Sequence, residues 1–191
     1  MSGGALVLAA GLSRRFGSDK RQFLLDDKTP LLRRAVEIVL AANLSCRVCV
    51  RADDSAALAL LQDLPVSIIE CHSADQGMGR TLAEGVAACQ DWDGLLVMLA
   101  DMPWLRPQTL ALLFAALTPD AIVQPTCAEQ PGNPVGFGRA FYPDLLALQG
   151  DQGGRALLQR YPHALRHLEV GDPAIHRDID VESDLLAAAG D

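Results

Sequence analysis

The sequence predicts a three-layer α/β/α domain built on a mostly parallel sheet. Strand-length apolar runs alternate with amphipathic, helix-length segments along the chain. Several of those runs are continuously apolar, as strands covered on both faces are. No linker, repeat or low-complexity tract interrupts them. At 191 residues, 50% of them hydrophobic, the chain fits a single domain over 1–191. Such a domain buries about 70% of the surface its unfolded chain exposes.

The first strand is the apolar run at 5–9, which stops at Gly11 and opens into an exposed loop holding Ser13, Arg14, Arg15, Gly17 and Lys20. Thr29-Pro30 starts a helix, with threonine as cap and proline at the first helical position; Leu32, Val36 and Val39 line one face. Strands follow at 46–50, 66–70 and 94–100, with helices at 56–61 and 81–89 between them. The last of these runs, GLLVMLA, is the most apolar and belongs at the centre of the sheet. A helix after Pro107, strands at 121–125 and 135–138, and helices near 140–148 and 154–160 come next. Two short strands and a terminal helix complete the βαβα pattern.

Composition excludes several classes. A net charge of -8 with 5% aromatic residues is the wrong surface for nucleic acid, which demands a basic stripe and stacking partners. No run of 18 apolar residues is present to cross a membrane. The early apolar run precedes its cations instead of following them, the reverse of a secretory signal, so a cytoplasmic protein is expected. Five cysteines, Cys46, Cys49, Cys71, Cys89 and Cys127, form an odd, scattered set that suits a reducing compartment. Cys46 and Cys49 have the spacing of half a zinc site, but on a strand they point to opposite faces. His163 and His167 stand four apart and could chelate on a helix, but the segment reads as strand, so they are expected as ordinary surface or half-buried histidines.

In parallel sheets ligands bind beyond the carboxyl ends of the strands. Those ends carry the glycine loop after the first strand, DQGMGR at 75–80, Asp101-Met102-Pro103, and DID at 178–180. A Walker loop fails on spacing, because five residues separate Gly11 from Gly17 and Ser18 follows. The dinucleotide fingerprint fails because Gly11 lacks companion glycines. What remains is a strand-end loop whose N–H groups can wrap a triphosphate, with Arg15 and Lys20 to offset charge on departing phosphates.

LAAGLSRRFGSDK (8–20), GMGRTLAEGV (77–86), LVMLADMP (96–103), GNPVGF (132–137), GDQGGRALL (150–158) and DIDVESDL (178–185) cover nearly the whole chain in order. Together they resemble the MobA-like nucleotidyltransferases, most closely the molybdopterin cytidylyltransferases. The resemblance implies a Rossmann-like sheet of the nucleotide-diphospho-sugar transferase type. It also implies transfer of CMP from CTP to molybdopterin with release of pyrophosphate, on Mg2+ or Mn2+, in the service of a molybdenum hydroxylase.

Position by position, the resemblance assigns backbone contacts with the nucleotide to Ala9, Ala10 and Gly11. Arg15 and Lys20 hold the triphosphate and act in catalysis. Asp101 ligates the metal and is catalytic, and Asp180 is the second carboxylate. Gly77, Gly79 and Thr81 approach base or ribose, and Asn133 and Gly153 the acceptor. Ala10 stands where guanylyl-transferring relatives tend to carry glycine, which favours cytidine. The chemistry agrees, because magnesium takes one or two carboxylates and keeps its other positions for phosphate and water. Asp101 ends the most buried strand, where an idle carboxylate is costly; Asp180 also reads as a helix cap. Two alternatives stand beside this reading: guanylyl transfer or another phosphorylated acceptor, and a nucleotide-binding assembly partner of a molybdoenzyme without turnover.

Overall fold

A computed structural model describes residues 1–11, 16, 18–179 and 184. The chain runs β1 (Gly3–Leu8), α1 (Leu31–Ala41), β2 (Ser45–Arg51), α2 (Ser55–Leu61), β3 (Ser67–Cys71), α3 (Met78–Ala87) and β4 (Gly94–Leu99). It continues through α4 (Pro107–Ala116), β5 (Ile122–Cys127), β6 (Gln130–Pro131), β7 (Val135–Gly138), α5 (Tyr142–Leu146), α6 (Arg155–Arg160) and β8 (Leu165–Glu169). The strands form one sheet in the order β3-β2-β1-β4-β7-β5-β6, with β8 alongside β5. β3, β2, β1 and β4 are mutually parallel, β8 is parallel to β5, and β7 runs antiparallel between β4 and β5. The apolar run at 94–100 is therefore central, as expected.

Alternation along β1 sorts the core into two layers. Ala5 and Val7 pack with Leu32, Val36 and Val39 of α1 and with Leu110 and Leu113 of α4. Leu6 and Leu8 pack with Leu82 and Val86 of α3, Leu145 of α5 and Leu157 of α6. Helices thus cover both faces, the three-layer arrangement the sequence predicts. Cys46 falls in the first layer and Cys49 in the second, and all five cysteines are free.

Four local expectations change. Pro30 is extended (ψ 143°) and precedes α1 without a side-chain cap, so the helix starts at Leu31 and Thr29 does not cap it. The hydroxyl of Thr29 instead accepts from Arg34 Nη2. α3 begins at Met78, three residues earlier than periodicity indicates, because Gly77 (φ 109°) turns the chain straight into it. β6, two residues long, carries no periodic signal. After residue 160 the described residues hold one strand, β8, followed by a 3-10 turn at Pro173–His176. Of the expected terminal helix, only Asp184 is among the described residues, and it is helical.

Candidate active site

β1 and β4 are neighbours in register, with Leu8 beside Leu99, so their carboxyl ends deliver Ala9-Ala10-Gly11 and Ala100-Asp101 to the same edge of the sheet. The N-terminus of α3 stands opposite. Between them lies a cavity of about 560 Å³, lined among others by Ala9, Ala10, Gly11, Lys20, Gly77, Thr81 and Asp101. Seven of the positions singled out from the sequence therefore meet at one place. Arg15 and Asp180 lie outside the described residues.

Asp101 and Lys20, 81 residues apart, meet directly. Lys20 Nζ donates to Asp101 Oδ2 at 2.6 Å and to the Ile179 carbonyl at 2.8 Å, while the Ile179 N–H donates to the Asp101 carbonyl at 3.0 Å. Their side chains are 18% and 14% exposed, so Lys20 is not the open loop cation that its sequence context predicts. Burial pushes the Asp101 carboxyl up, Lys20 pulls it down, and the charge of Asp178 adds a smaller upward push; the net shift is upward.

The other oxygen, Asp101 Oδ1, is buried and accepts no hydrogen bond from the described residues. A buried carboxylate oxygen without a donor is expensive, and a hard cation satisfies it. Among the described residues no cluster of three His, Cys, Asp or Glu side chains could hold an ion by itself. An ion here would therefore draw most of its ligands from phosphate and water, the coordination magnesium prefers.

Three expected positions lie elsewhere. Gly79 does not line the cavity: its N–H donates to the Gly150 carbonyl at 2.8 Å, and a Cβ there would come within 2.6 Å of the Gln152 carbonyl. It is glycine because the 149–153 loop docks on the first turn of α3. Gly77 serves the same contact, since a Cβ would come within 2.5 Å of Gly150. Gly153 rests near Met78, where a Cβ would meet the sulfur at an ordinary 3.4 Å. Asn133 is exposed and donates its N–H to the Ile175 carbonyl at 2.9 Å. It precedes β7 by two residues, which puts it at the same sheet edge as Asp101 but on the side of β4 away from β1.

Phe16, Arg21, Asp75, Gln76, Met78 and Asp151 also line the cavity, and the sequence reading assigned none of them. Asp75, Gln76, Met78 and Asp151 sit inside the very motifs DQGMGR and GDQGGR, and that proximity was the available signal. Arg21 had none, because its partner Asp54 is 33 residues away.

A family model described as the MobA-like NTP transferase domain matches residues 5–166. The chain belongs to that family. Its fold is that of a nucleotidyltransferase. A "Probable molybdenum cofactor guanylyltransferase" of Chloroflexus aggregans is 32% identical over 179 residues, covering 92% of this chain and 78% of that one. The "Purine catabolism protein PucB" of Bacillus subtilis is 28% identical over 164 residues, covering 81% and 79%. Among solved structures, Rv0371c of Mycobacterium tuberculosis H37Rv superposes with a TM-score of 0.86 at 24% identity, over 98% of this chain and 96% of that one. A manganese complex of the same mycobacterial protein gives 0.81 at 23% identity, over 98% and 97%. In this member of the MobA-like family, the Lys20–Asp101 junction and the α3 N-terminus line opposite walls of the cavity.

Proposed function

We propose that the protein transfers CMP from CTP to molybdopterin, releasing pyrophosphate. The observation that carries the reading is the junction at Asp101, where one carboxylate oxygen is held by Lys20 and the other is buried with no donor among the described residues. Asp101, with Asp180 as a second carboxylate, would hold a divalent ion; that ion supplies charge neutralisation for the phosphates when bound. Lys20 and Arg15 hold the phosphates of the leaving group and stabilise the charge that builds there. Ala10 and Gly11 offer N–H groups at the end of β1, and no hydrogen bond among the described residues claims them. Thr81, buried in the first turn of α3, lies on the wall where base or ribose rests, and Asn133 lies toward the acceptor.

Cytidine is favoured by Ala10 in LAAG. The 32% identity to a protein named as a guanylyltransferase favours guanosine, so GTP is the second reading. A molybdenum hydroxylase is the receiving partner that the family resemblance implies.

A thermal-shift panel of CTP, GTP, ATP and UTP, each with and without magnesium, decides between them. At a hundredfold excess over the dissociation constant, the stabilisation is about 2.7 kcal/mol, a rise of roughly 5–10 °C. The largest shift is expected for CTP with magnesium. A larger one for GTP replaces cytidine by guanosine, and no shift with any nucleotide removes the transferase reading.

A further inference from the structure

Both oxygens of the Asp101 carboxylate are closed to an ion while Lys20 stays in place. The ammonium covers Oδ2 at 2.6 Å, and it is held there by a second contact, at 2.8 Å to the Ile179 carbonyl. Ile179 is itself fixed, since its N–H donates to the Asp101 carbonyl at 3.0 Å. Oδ1 is shut away from solvent, with no donor among the described residues. One oxygen lies under a cation and the other under protein, so an ion reaches this carboxylate only after the ammonium has left.

The backbone of Lys20 is anchored where it stands. Lys20 opens a 3-10 turn, Lys20–Gln22, whose next residue, Arg21, is 3% exposed. Arg21 Nε and Nη2 grip Asp19 as a fork, at 2.8 Å to Oδ1 and 2.6 Å to Oδ2. Its Nη1 donates to Asp54 Oδ2 at 2.6 Å and to the Ala9 carbonyl at 2.8 Å, and Asp54 caps α2 through the Ala57 N–H. The turn is thereby tied to the end of β1 and the start of α2. What can move is the flexible four-carbon stem of Lys20. That stem lines the same cavity as Ala10 and Gly11, so a rotation within the cavity carries the charge from Asp101 toward an anion lying at the end of β1.

We propose that Lys20 is a latch: it keeps Asp101 closed to divalent cations until a polyphosphate draws its ammonium away, so that the ion enters with its nucleotide and not before it. The proposal rests on the nucleoside triphosphate reading of the cavity. An ammonium and a divalent ion on the same carboxylate repel strongly, because they stand within about 5 Å of each other in a part-buried site of low effective dielectric. Among the described residues Asp101 has no pair of companion ligands that would let it hold an ion by itself. A triphosphate changes both conditions. Its charge offers the ammonium a better partner than one carboxylate, and its oxygens supply the hard ligands that Asp101 lacks. Opening also relieves the closed state, since a buried oxygen without a donor is costly and a cation satisfies it.

The test titrates the full chain with Mn2+ alone and follows the free ion by electron paramagnetic resonance, at about pH 8 so that Asp101 stays ionised once Lys20 is gone. Lys20→Met, which keeps the stem and removes the charge, is expected to bind Mn2+ at least about tenfold more tightly than the parent. A lost metal-site residue would weaken binding, so the sign separates the latch from an ordinary supporting role. Lys20→Arg, which keeps a cation on Asp101, is expected to stay within about threefold of the parent. Lys20→Met combined with Asp101→Asn is expected to lose the gain, which places the extra affinity on Asp101. Thermal melts confirm that each variant is folded; if Lys20→Met is not, Lys20→Gln replaces it with the same expectation. Equal affinities in the parent and Lys20→Met overturn the proposal, as does a gain that survives Asp101→Asn or appears equally in Lys20→Arg. If the parent is still stabilised by a nucleotide with magnesium when the latch fails these tests, the reading of the cavity stands and only the latch falls. A parent stabilised by no nucleotide overturns that reading, and this inference with it.

Discussion

Two sets of ion pairs in this protein use the same residue types to different ends. On the outer surface Arg47 grips Asp91 as a fork at 2.7 and 2.8 Å and Arg33 grips Asp63 at 2.6 and 2.8 Å, with carboxylates 63% and 60% exposed. At the carboxyl ends of β1, β2 and β4, the Arg21–Asp54 and Lys20–Asp101 pairs hold equally short contacts with side chains 3% to 18% exposed. Water would solvate either partner of a surface fork if the other left. The strand-end pairs are desolvated, and at Asp101 the site is incomplete: Oδ1 has no donor among the described residues. Burial makes such deficits costly, so charge placed there points to a ligand, whereas charge on the surface contributes little to either binding or stability.

The comparison breaks first at Asp101. Asp101→Asn keeps the shape and removes the charge, and turnover is expected to fall on the order of a thousandfold, as when a metal ligand or a main charge-stabilising group is lost. Pyrophosphate release measures it. Activity within threefold of the parent would make this pair no more functional than Arg47–Asp91.

Lys20→Ala comes next, with turnover down on the order of a hundredfold. Because Lys20 is half of a part-buried pair, this substitution also costs stability, about 1–3 kcal/mol. At about 2–4 °C per kcal/mol for a chain of this length, the melting temperature drops by several degrees. An unchanged melt would return Lys20 to the status of a solvated surface charge.

Acid sharpens the contrast. Hydrogen bonds from Arg21 hold the Asp19 carboxyl at about 2, below its ordinary 3.8, so the stability it contributes is present above its unfolded value and is lost as pH falls through the folded one. Asp101 has the opposite sign, since burial pushes it up and protonation relieves the native state. Melting temperature followed from about pH 4 to pH 2 should therefore fall less steeply in Asp19→Asn than in the parent. Asp101→Asn should not flatten the curve. An equal slope in Asp19→Asn would remove the Arg21 fork as the source of acid lability.

The smallest effect belongs to the surface. Asp63→Ala is expected to leave turnover unchanged and the melting temperature within about 2 °C. A larger drop would show that exposed forks carry more of the fold than their solvation allows.

The fold was largely legible, because strand and helix periods report burial and burial is what the sheet imposes. GLLVMLA could only be a strand covered on both faces, and β4 is central. The start of α3 was not legible: Gly77 turns the chain and Gly79 admits a loop 70 residues downstream, and neither leaves a periodic trace. The candidate site was legible at Ala10, Gly11, Lys20 and Asp101, which stand at strand ends where chemistry has few bland explanations. Gly79 packs against the 149–152 loop, and glycine in a motif says that backbone comes close without saying whose.

Which residue types reach the carboxyl edge of the sheet was determined by the sequence itself, since the strands and the residues just after each follow from local pattern. What those side chains do to one another was decided only by the tertiary structure. Lys20 and Asp101 lie in separate motifs, and nothing within either one says that they share a proton donor and acceptor at 2.6 Å. Arg21 and Asp54 lie in no motif, yet they pair at 2.6 Å and the same guanidinium donates to the Ala9 carbonyl at 2.8 Å. Local propensity acts over a few residues, whereas hydrogen bonds and desolvation act between whatever groups the fold brings within about 3 Å.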